Sequence, residues 1–159
     1  MTGDPNAASH VVRQAQLEDL EIATDLASRF YTEEGYATGR DQLRVNLRKL
    51  LEVPGAEVLV AVTRDGKAIG LAVATTTFGL EHRRIAELQD LYVLPHYRGG
   101  GVGDALVDAV VAWARACCCE ALDVVIDADG DARHGLSVYY SRRGFADQRR
   151  RLLTRPINA

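Results

Sequence analysis

Arg98, Gly99, Gly100, Gly101 and Gly103 stand together in "LYVLPHYRGGGVGDALVDAVVAWA", Leu91 to Ala114, between an apolar run and a helical pattern. Glycine tolerates positive φ and lets backbone approach a ligand closely. The first turn of a helix leaves N–H groups without partners at the positive end of its dipole. The two features together suit an anion, and a phosphate or pyrophosphate fits best. Arg98 at the mouth can steady the same charge. A purely structural corner is the competing reading. Two other phosphate loops are excluded by spacing. A P-loop needs lysine and then serine or threonine after its last glycine, where Asp104 and Ala105 follow Gly103; the dinucleotide pattern G-x-G-x-x-G also fails.

Just upstream, "RIAELQDLYVLP" carries Glu87 and Asp90 inside a mostly apolar strand pattern. A carboxylate there must be exposed, paired or used. Three residues apart, the two face opposite sides of a regular strand, and they serve one cleft only if a bulge intervenes.

Several elements must hold these residues in place. "VVRQAQ" from Val11 predicts a first strand, and "LEDLEIATDLASRFYTEE" a first helix, with Leu17, Leu20, Ile22, Ala23, Leu26, Ala27 and Phe30 near helical spacing. "DQLRVNLRKLLEV" predicts a second helix capped by Asp41 and ended by Pro54-Gly55. "EVLVAV" and "AIGLAVATTTF" predict a hairpin turning at Arg64-Asp65-Gly66-Lys67. A third strand runs from Ile85 to Leu94. A helix from about Gly101 carries Val102, Leu106, Ala109, Val110 and Trp113 on one stripe. "ALDVVIDA" reads as a short strand buried on both faces. "DARHGLSVYYSRRG" reads as one helix capped by Asp131 and closed by Gly144, and "FADQRRRLLTRPI" as one or two final strands. The order predicts an α+β fold: a mixed α/β sheet with helices on both faces.

Composition narrows the class. The 159 residues, 47% hydrophobic with a net charge of -3, suit one soluble domain over residues 10–159 behind a loose tail, 1–9. The mild acidity argues against nucleic acid as a partner, and Arg149 to Arg151 read as a solvated basic face. No apolar run is long enough for a bilayer and no signal peptide is visible, which points to the cytoplasm and to no membrane partner. Cys117, Cys118 and Cys119 read as small apolar fillers near a helix end, and the four histidines lack metal-ligand spacing, so no metal is expected.

The corner segment resembles the acetyl-coenzyme A-binding segment of the GNAT superfamily of N-acetyltransferases, its Arg-x-x-Gly-x-Gly met by Arg98, Gly101 and Gly103. "YYSRRGF" is similar to the family's second signature, with Tyr140 four residues before Gly144. The resemblance implies a mostly antiparallel central sheet, acetyl-coenzyme A as co-substrate and transfer of its acetyl group to a primary amine. An amine of pKa about 10.4 must lose a proton, and the departing thiolate must gain one. By resemblance Tyr140 is the acid, and Glu87 or Asp90 the base, with Glu87 slightly favoured. The backbone of Leu91, Tyr92 and Val93 would pair with the pantetheine arm. The amides of Gly99, Gly100, Gly101, Val102, Gly103 and Asp104 would take the pyrophosphate. Many relatives carry an asparagine where this chain has Arg133, so no cofactor contact is carried over to that position.

In the family, the first two helices and their connection form most of the acceptor site, here "RFYTEEGYATGRD". Tyr31, Glu33, Glu34 and Tyr36 would suit a small cationic amine, an aminoglycoside antibiotic being the leading substrate. A protein or peptide amine, a polyamine, a non-catalytic acyl-coenzyme A sensor and a solvated acidic loop stay open, as does a homodimer.

Overall fold

The computed structural model of the chain describes residues 9–157. Of the expected tail, residues 1–8 lie outside the described residues. The described residues form two compact units, one reaching to Val124 and the other starting at Val125.

The first unit is built on a five-stranded sheet. Its elements are β1 (His10–Gln14), α1 (Leu20–Glu34), α2 (Arg40–Glu52), β2 (Ala56–Thr63), β3 (Ala68–Gly79), β4 (Arg83–Val93), α3 (Val102–Ala116) and β5 (Ala121–Val124). The strands lie in sequence order. All neighbours are antiparallel except β4 and β5, which run parallel because α3 crosses between them. The expected mixed sheet with helices on both faces is what is found.

Alternation along the strands divides the core. Val58 and Val60 of β2, Leu71 and Val73 of β3, and Tyr92 of β4 pack with Leu20, Ala23, Leu26 and Ala27 of α1 and Leu43 and Leu47 of α2. The opposite face of β3 receives α3. A Cβ added to Gly70 would come within 3.0 Å of Leu106 and 3.2 Å of Val102. Glycine at that site therefore lets the first turn of α3 settle onto the sheet, which fixes the corner before it. Along α3, Val102, Leu106, Val107, Val110 and Ala114 are buried. Ala109 and Trp113 of the expected stripe are half-buried, so the inward face is rotated toward Val107 and Ala114.

The expected hairpin forms with Gly66 at φ 83 in its turn, and Thr63 Oγ1 donating to Asp65 at 2.5 Å. Other expectations are corrected. Gly39, not Asp41, occupies the N-cap of α2, and Asp41 sits in the first turn, where its charge suits the helix dipole. β5 spans only Ala121–Val124 and alternates between exposed and half-buried, because it pairs with β4 alone. Cys117 and Cys119 are half-buried, but Cys118 is exposed and takes φ 57, the position where glycine usually ends a helix.

In the second unit, the single helix expected over "DARHGLSVYYSRRG" is two: α4 (Ala128–His134) and α5 (Leu136–Ser141), parted by Gly135 at φ 63. Asp127 caps α4 by accepting from Gly130 N, while Asp131 accepts from Ser137 N and Oγ at 2.7 and 2.6 Å and so serves α5. No strand follows Phe145 among the described residues. Arg149 there takes φ 55, which breaks the extended chain a strand needs.

Candidate functional site

The site is assembled along β4, whose two edges part company midway. On one side β4 pairs with β3 throughout, with Glu87 opposite Thr75, Leu88 opposite Ala74 and Asp90 opposite Val73. Gln89 has no partner in this register and forms a β-bulge. Paired residues of antiparallel strands face the same way. Thr75 and Val73 share a face, so the bulge turns both Glu87 and Asp90 toward α1 and α2. Gln89 Nε2 donates to Thr75 Oγ1 at 2.9 Å and pins the bulge.

On its other side, β4 pairs with β5 only from Ile85 to Leu88. Past the bulge no strand among the described residues adds to that edge. Leu94 N donates to Ile69 O at 2.9 Å, which makes Val93 and Gly70 a pair that does not exchange ladder bonds. The N–H and C=O groups of Val93, and by alternation of Leu91, therefore point outward along the open edge. Tyr92 points inward and is 4% exposed.

The open edge runs directly into the glycine corner. After a short turn at Pro95–Tyr97, Gly99 and Gly101 take φ 77 and 82, and Gly101 is the N-cap of α3 without a side-chain cap. A Cβ built on Gly99 or Gly101 meets no atom within 4 Å. The space over the first amides of α3 is thus open, and glycine is required there by φ alone. Val102 and Gly103, the first helical residues, have amides at the helix end where no acceptor four residues earlier lies within the helix. The corner fits a diphosphate in shape and donor chemistry. Its residues from Gly99 to Gly103 offer no basic side chain, and Gly100 adds only backbone.

Around Asp90 the surroundings are aromatic. Tyr31 of α1 donates its hydroxyl to Asp90 Oδ1 at 3.2 Å. Phe30 stacks on Tyr92 with ring centroids 5.4 Å apart, and Tyr36 meets Tyr31 edge-on at 5.1 Å. Burial raises the Asp90 carboxyl above the usual range, and the Tyr31 hydrogen bond only partly opposes this. The same burial, with Asp90 nearby, pushes the Tyr31 phenol up to about 12. Glu87 is half-buried and lies beside Asp123 in the parallel register.

Glu33, on the last turn of α1, turns toward the corner. Tyr92 Oη donates to Glu33 Oε1 at 2.5 Å, and Arg98 Nη2 donates to Glu33 Oε2 at 2.7 Å. Arg98 Nε also donates to Val93 O at 2.8 Å. Neither the Tyr31–Asp90 contact nor the Glu33–Arg98 tie follows from sequence spacing; in each case the partners are 59 or 65 residues apart. The acidic and aromatic residues of "RFYTEEGY" were the visible half of that signal. Glu34 is half-buried, and Tyr36 is exposed beyond Gly35, which ends α1 at φ 73.

Tyr140, in the second unit, is 6% exposed, with Tyr139 and Phe145 edge-on at 5.0 and 5.2 Å. Burial chiefly pushes its phenol up to about 12, so it keeps its proton through neutral pH. Among the described residues, no group of three or more histidine, cysteine or acidic side chains is placed to hold a metal, and no helix is long and apolar enough to cross a membrane.

An open strand edge beside an amide-rich corner, with two carboxylates on the adjoining face, can take an extended, anion-bearing ligand beside a proton acceptor. Residues 20–145 match the acetyltransferase (GNAT) family; the chain belongs to it and is an N-acetyltransferase. It is similar to an aminoglycoside N(6')-acetyltransferase type 1 of Stenotrophomonas maltophilia, 35% identical over 120 residues that cover 73% of this chain and 74% of that one. An integron cassette protein from the mobile metagenome of Cole Harbour Salt Marsh superposes with a TM-score of 0.81 at 27% identity, over 93% and 91% of the two chains. The aminoglycoside N-acetyltransferase AAC(6')-Iy, solved in complex with CoA, also reaches 0.81, over 98% and 99%. At 21% identity, that likeness concerns the fold.

Proposed function

We propose that the protein transfers the acetyl group of acetyl-coenzyme A to a primary amine of a small cationic acceptor, an aminoglycoside foremost. The observation that carries this reading is the outward-facing peptide edge of Leu91 and Val93, which the bulge leaves open beside the glycine corner. Acetyl-coenzyme A supplies the activated acyl group. The amides from Gly99 to Asp104 would hold its diphosphate, and the edge from Leu91 to Val93 would take its amide-bearing arm as an added strand. An outward N–H of that edge also stabilises charge developing on the thioester oxygen.

Asp90 is assigned as the acceptor of the amine's proton. Its raised pKa keeps it a stronger base than an ordinary carboxylate, and Tyr31 orients it. Glu87, turned to the same face, is the second carboxylate of the site. One N–C bond forms and one C–S bond breaks; the proton the neutral amine loses on attack goes to Asp90 and then to solvent, and the thiolate takes a proton from Tyr140, which solvent restores. The Tyr140 assignment rests on its place in "YYSRRGF" and on a phenol that stays protonated. On the acceptor side, Tyr31 and Tyr36 offer aromatic faces, and Glu33 and Glu34 offer negative charge, a combination suited to a polycation. The single domain over residues 10–159 belongs to the same proposal, as does the relative's aminoglycoside specificity.

The test is release of free coenzyme A thiol from acetyl-coenzyme A in the presence of kanamycin, spermidine or a lysine peptide. Kanamycin should give the highest kcat/KM. Turnover confined to the peptide would overturn the acceptor assignment, and absence of any coenzyme A binding would overturn the whole reading.

A further inference from the structure

The mouth of the glycine corner carries one arginine, and its guanidinium is engaged at both ends by its own chain. Nε is bonded to the Val93 carbonyl and Nη2 to Glu33, while the plane lies over the Tyr92 ring, 5.5 Å from its centroid. Glu33 in turn takes the Tyr92 hydroxyl on its other oxygen. Four groups from three elements (the last turn of α1, the open end of β4 and the loop before α3) are thus closed into one ring. Both charged side chains are well exposed, 45% for Arg98 and 37% for Glu33, so the pair adds little to fold stability. What the ring fixes is orientation, because a planar fork bonded at two points has one geometry.

We propose that Arg98 is a positioning residue for the acceptor side and not a ligand of the diphosphate: it holds Glu33 as an oriented carboxylate at the end of α1, where a cationic amine is recognised. The anion is then left to the backbone amides. The tie also occupies the Val93 carbonyl, so Leu91 supplies the free carbonyl acceptor on the open edge. This inference rests on the reading given under Proposed function and adds a separation of duties inside it. A sequence reading gives Arg98 to the anion because it stands next to the glycines; the structure bonds its Nε to Val93 and its Nη2 to Glu33.

Arg98→Met, Arg98→Lys, Glu33→Ala and the double variant Arg98→Met/Glu33→Ala test the assignment, with thermal melts to confirm folding. Coenzyme A affinity is read by calorimetry, and KM and kcat with kanamycin and with spermidine. Arg98→Met should leave the coenzyme A Kd within about twofold and raise the acceptor KM about tenfold at similar kcat. Glu33→Ala should do the same, and the double variant should be no worse than either single one, because both break one ring. Arg98→Lys should behave like Arg98→Met, since an ammonium cannot span both Glu33 and Val93. If Arg98→Met weakens coenzyme A tenfold or more while Arg98→Lys retains affinity, the arginine serves the anion and the inference fails. Additive effects of Arg98→Met and Glu33→Ala also defeat it while leaving the proposed function intact. A wild-type protein without coenzyme A affinity defeats both.

Discussion

Before Gln89, β4 is an interior strand, with β3 on one side and β5 on the other from Ile85 to Leu88, and Ala86 and Leu88 are buried. After Gln89 the same strand keeps β3 but, among the described residues, has no strand along its other edge, and its side chains meet Tyr31, Phe30 and Glu33. The first half spends its backbone hydrogen bonds on the sheet. In the second half, the outward N–H and C=O of Leu91 and the N–H of Val93 face a ligand, while Arg98 holds the Val93 carbonyl. One unpaired residue marks the boundary, and it sets two things at once: where pairing stops, and on which face Asp90 appears. The comparison teaches that the chemistry is placed where the sheet runs out of partners, with α1 closing over the inward face.

The most damaging change to this arrangement is deletion of Gln89. Without the extra residue, Leu88 and Asp90 continue a regular ladder against Ala74 and Val73, and the bend that turns the edge away is lost. Coenzyme A binding and turnover should both fall, turnover by about 100-fold or more, since displacements on the order of 1 Å are enough for that. Far-UV circular dichroism should stay native. Unchanged kcat and affinity in a folded variant would remove the bulge from the account of the site.

Asp90→Asn should spare binding and strike turnover, by about 100-fold, the lower range for loss of a positioned base. It should also stabilise the fold. The folded carboxyl is raised above its unfolded value, so the native state holds its proton more tightly, and wild-type stability falls as pH rises through that interval. The asparagine escapes this cost. Denaturant midpoints should therefore favour Asp90→Asn at pH 7, with the gap closing as the pH drops below the ordinary carboxylate range. A variant both inactive and less stable at neutral pH would mean that Asp90 is ionised at no cost to the fold.

Much of this frame is legible in the sequence. The Asp-Gly turn, the amphipathic first helix and the glycine corner are local signals that land close to where the residues place them, although α1 starts at Leu20 and leaves Leu17 and Ile22 of the expected apolar set exposed. What escaped has non-local causes. The spacing of Glu87 and Asp90 already raises a bulge between them, but nothing in the sequence puts it at Gln89, because the register depends on which residues of β3 stand opposite. "ALDVVIDA" looks like a buried strand by composition, yet only Ala121–Val124 pair, on one side. Gly135 is visible as a breaker and splits a periodic pattern that otherwise reads as continuous. Arg98 looks like an anion ligand by adjacency, and its bond to Glu33, 65 residues away, exists only in the fold.

Glu87→Gln tests the paired half. Glu87 shares the face of Asp90 but lies beside Thr75 and Asp123 in a strand bonded on both edges. Its loss should lower kcat a few-fold, well short of Asp90→Asn, without moving the acidic limb of the pH–rate profile. If Glu87→Gln is the more damaging of the two, with the limb displaced, the base lies before the bulge and the division of β4 drawn above is reversed.

Tyr31→Phe makes the smallest and most diagnostic change. The ring keeps its place against Phe30 and Tyr36, and only the hydroxyl that donates to Asp90 is removed. That hydrogen bond favours the ionised carboxyl and holds its pKa down against burial. Without it the Asp90 pKa rises further, so the acidic limb of kcat/KM should move to higher pH. At a pH well above the limb the rate should stay within about threefold of wild type, because the base is again ionised and the barrier changes little. A structural defect would lower the rate equally at every pH. A limb that moves to lower pH would show that Tyr31 does not stabilise the Asp90 carboxylate, and the open half of β4 would lose the contact by which α1 tunes it.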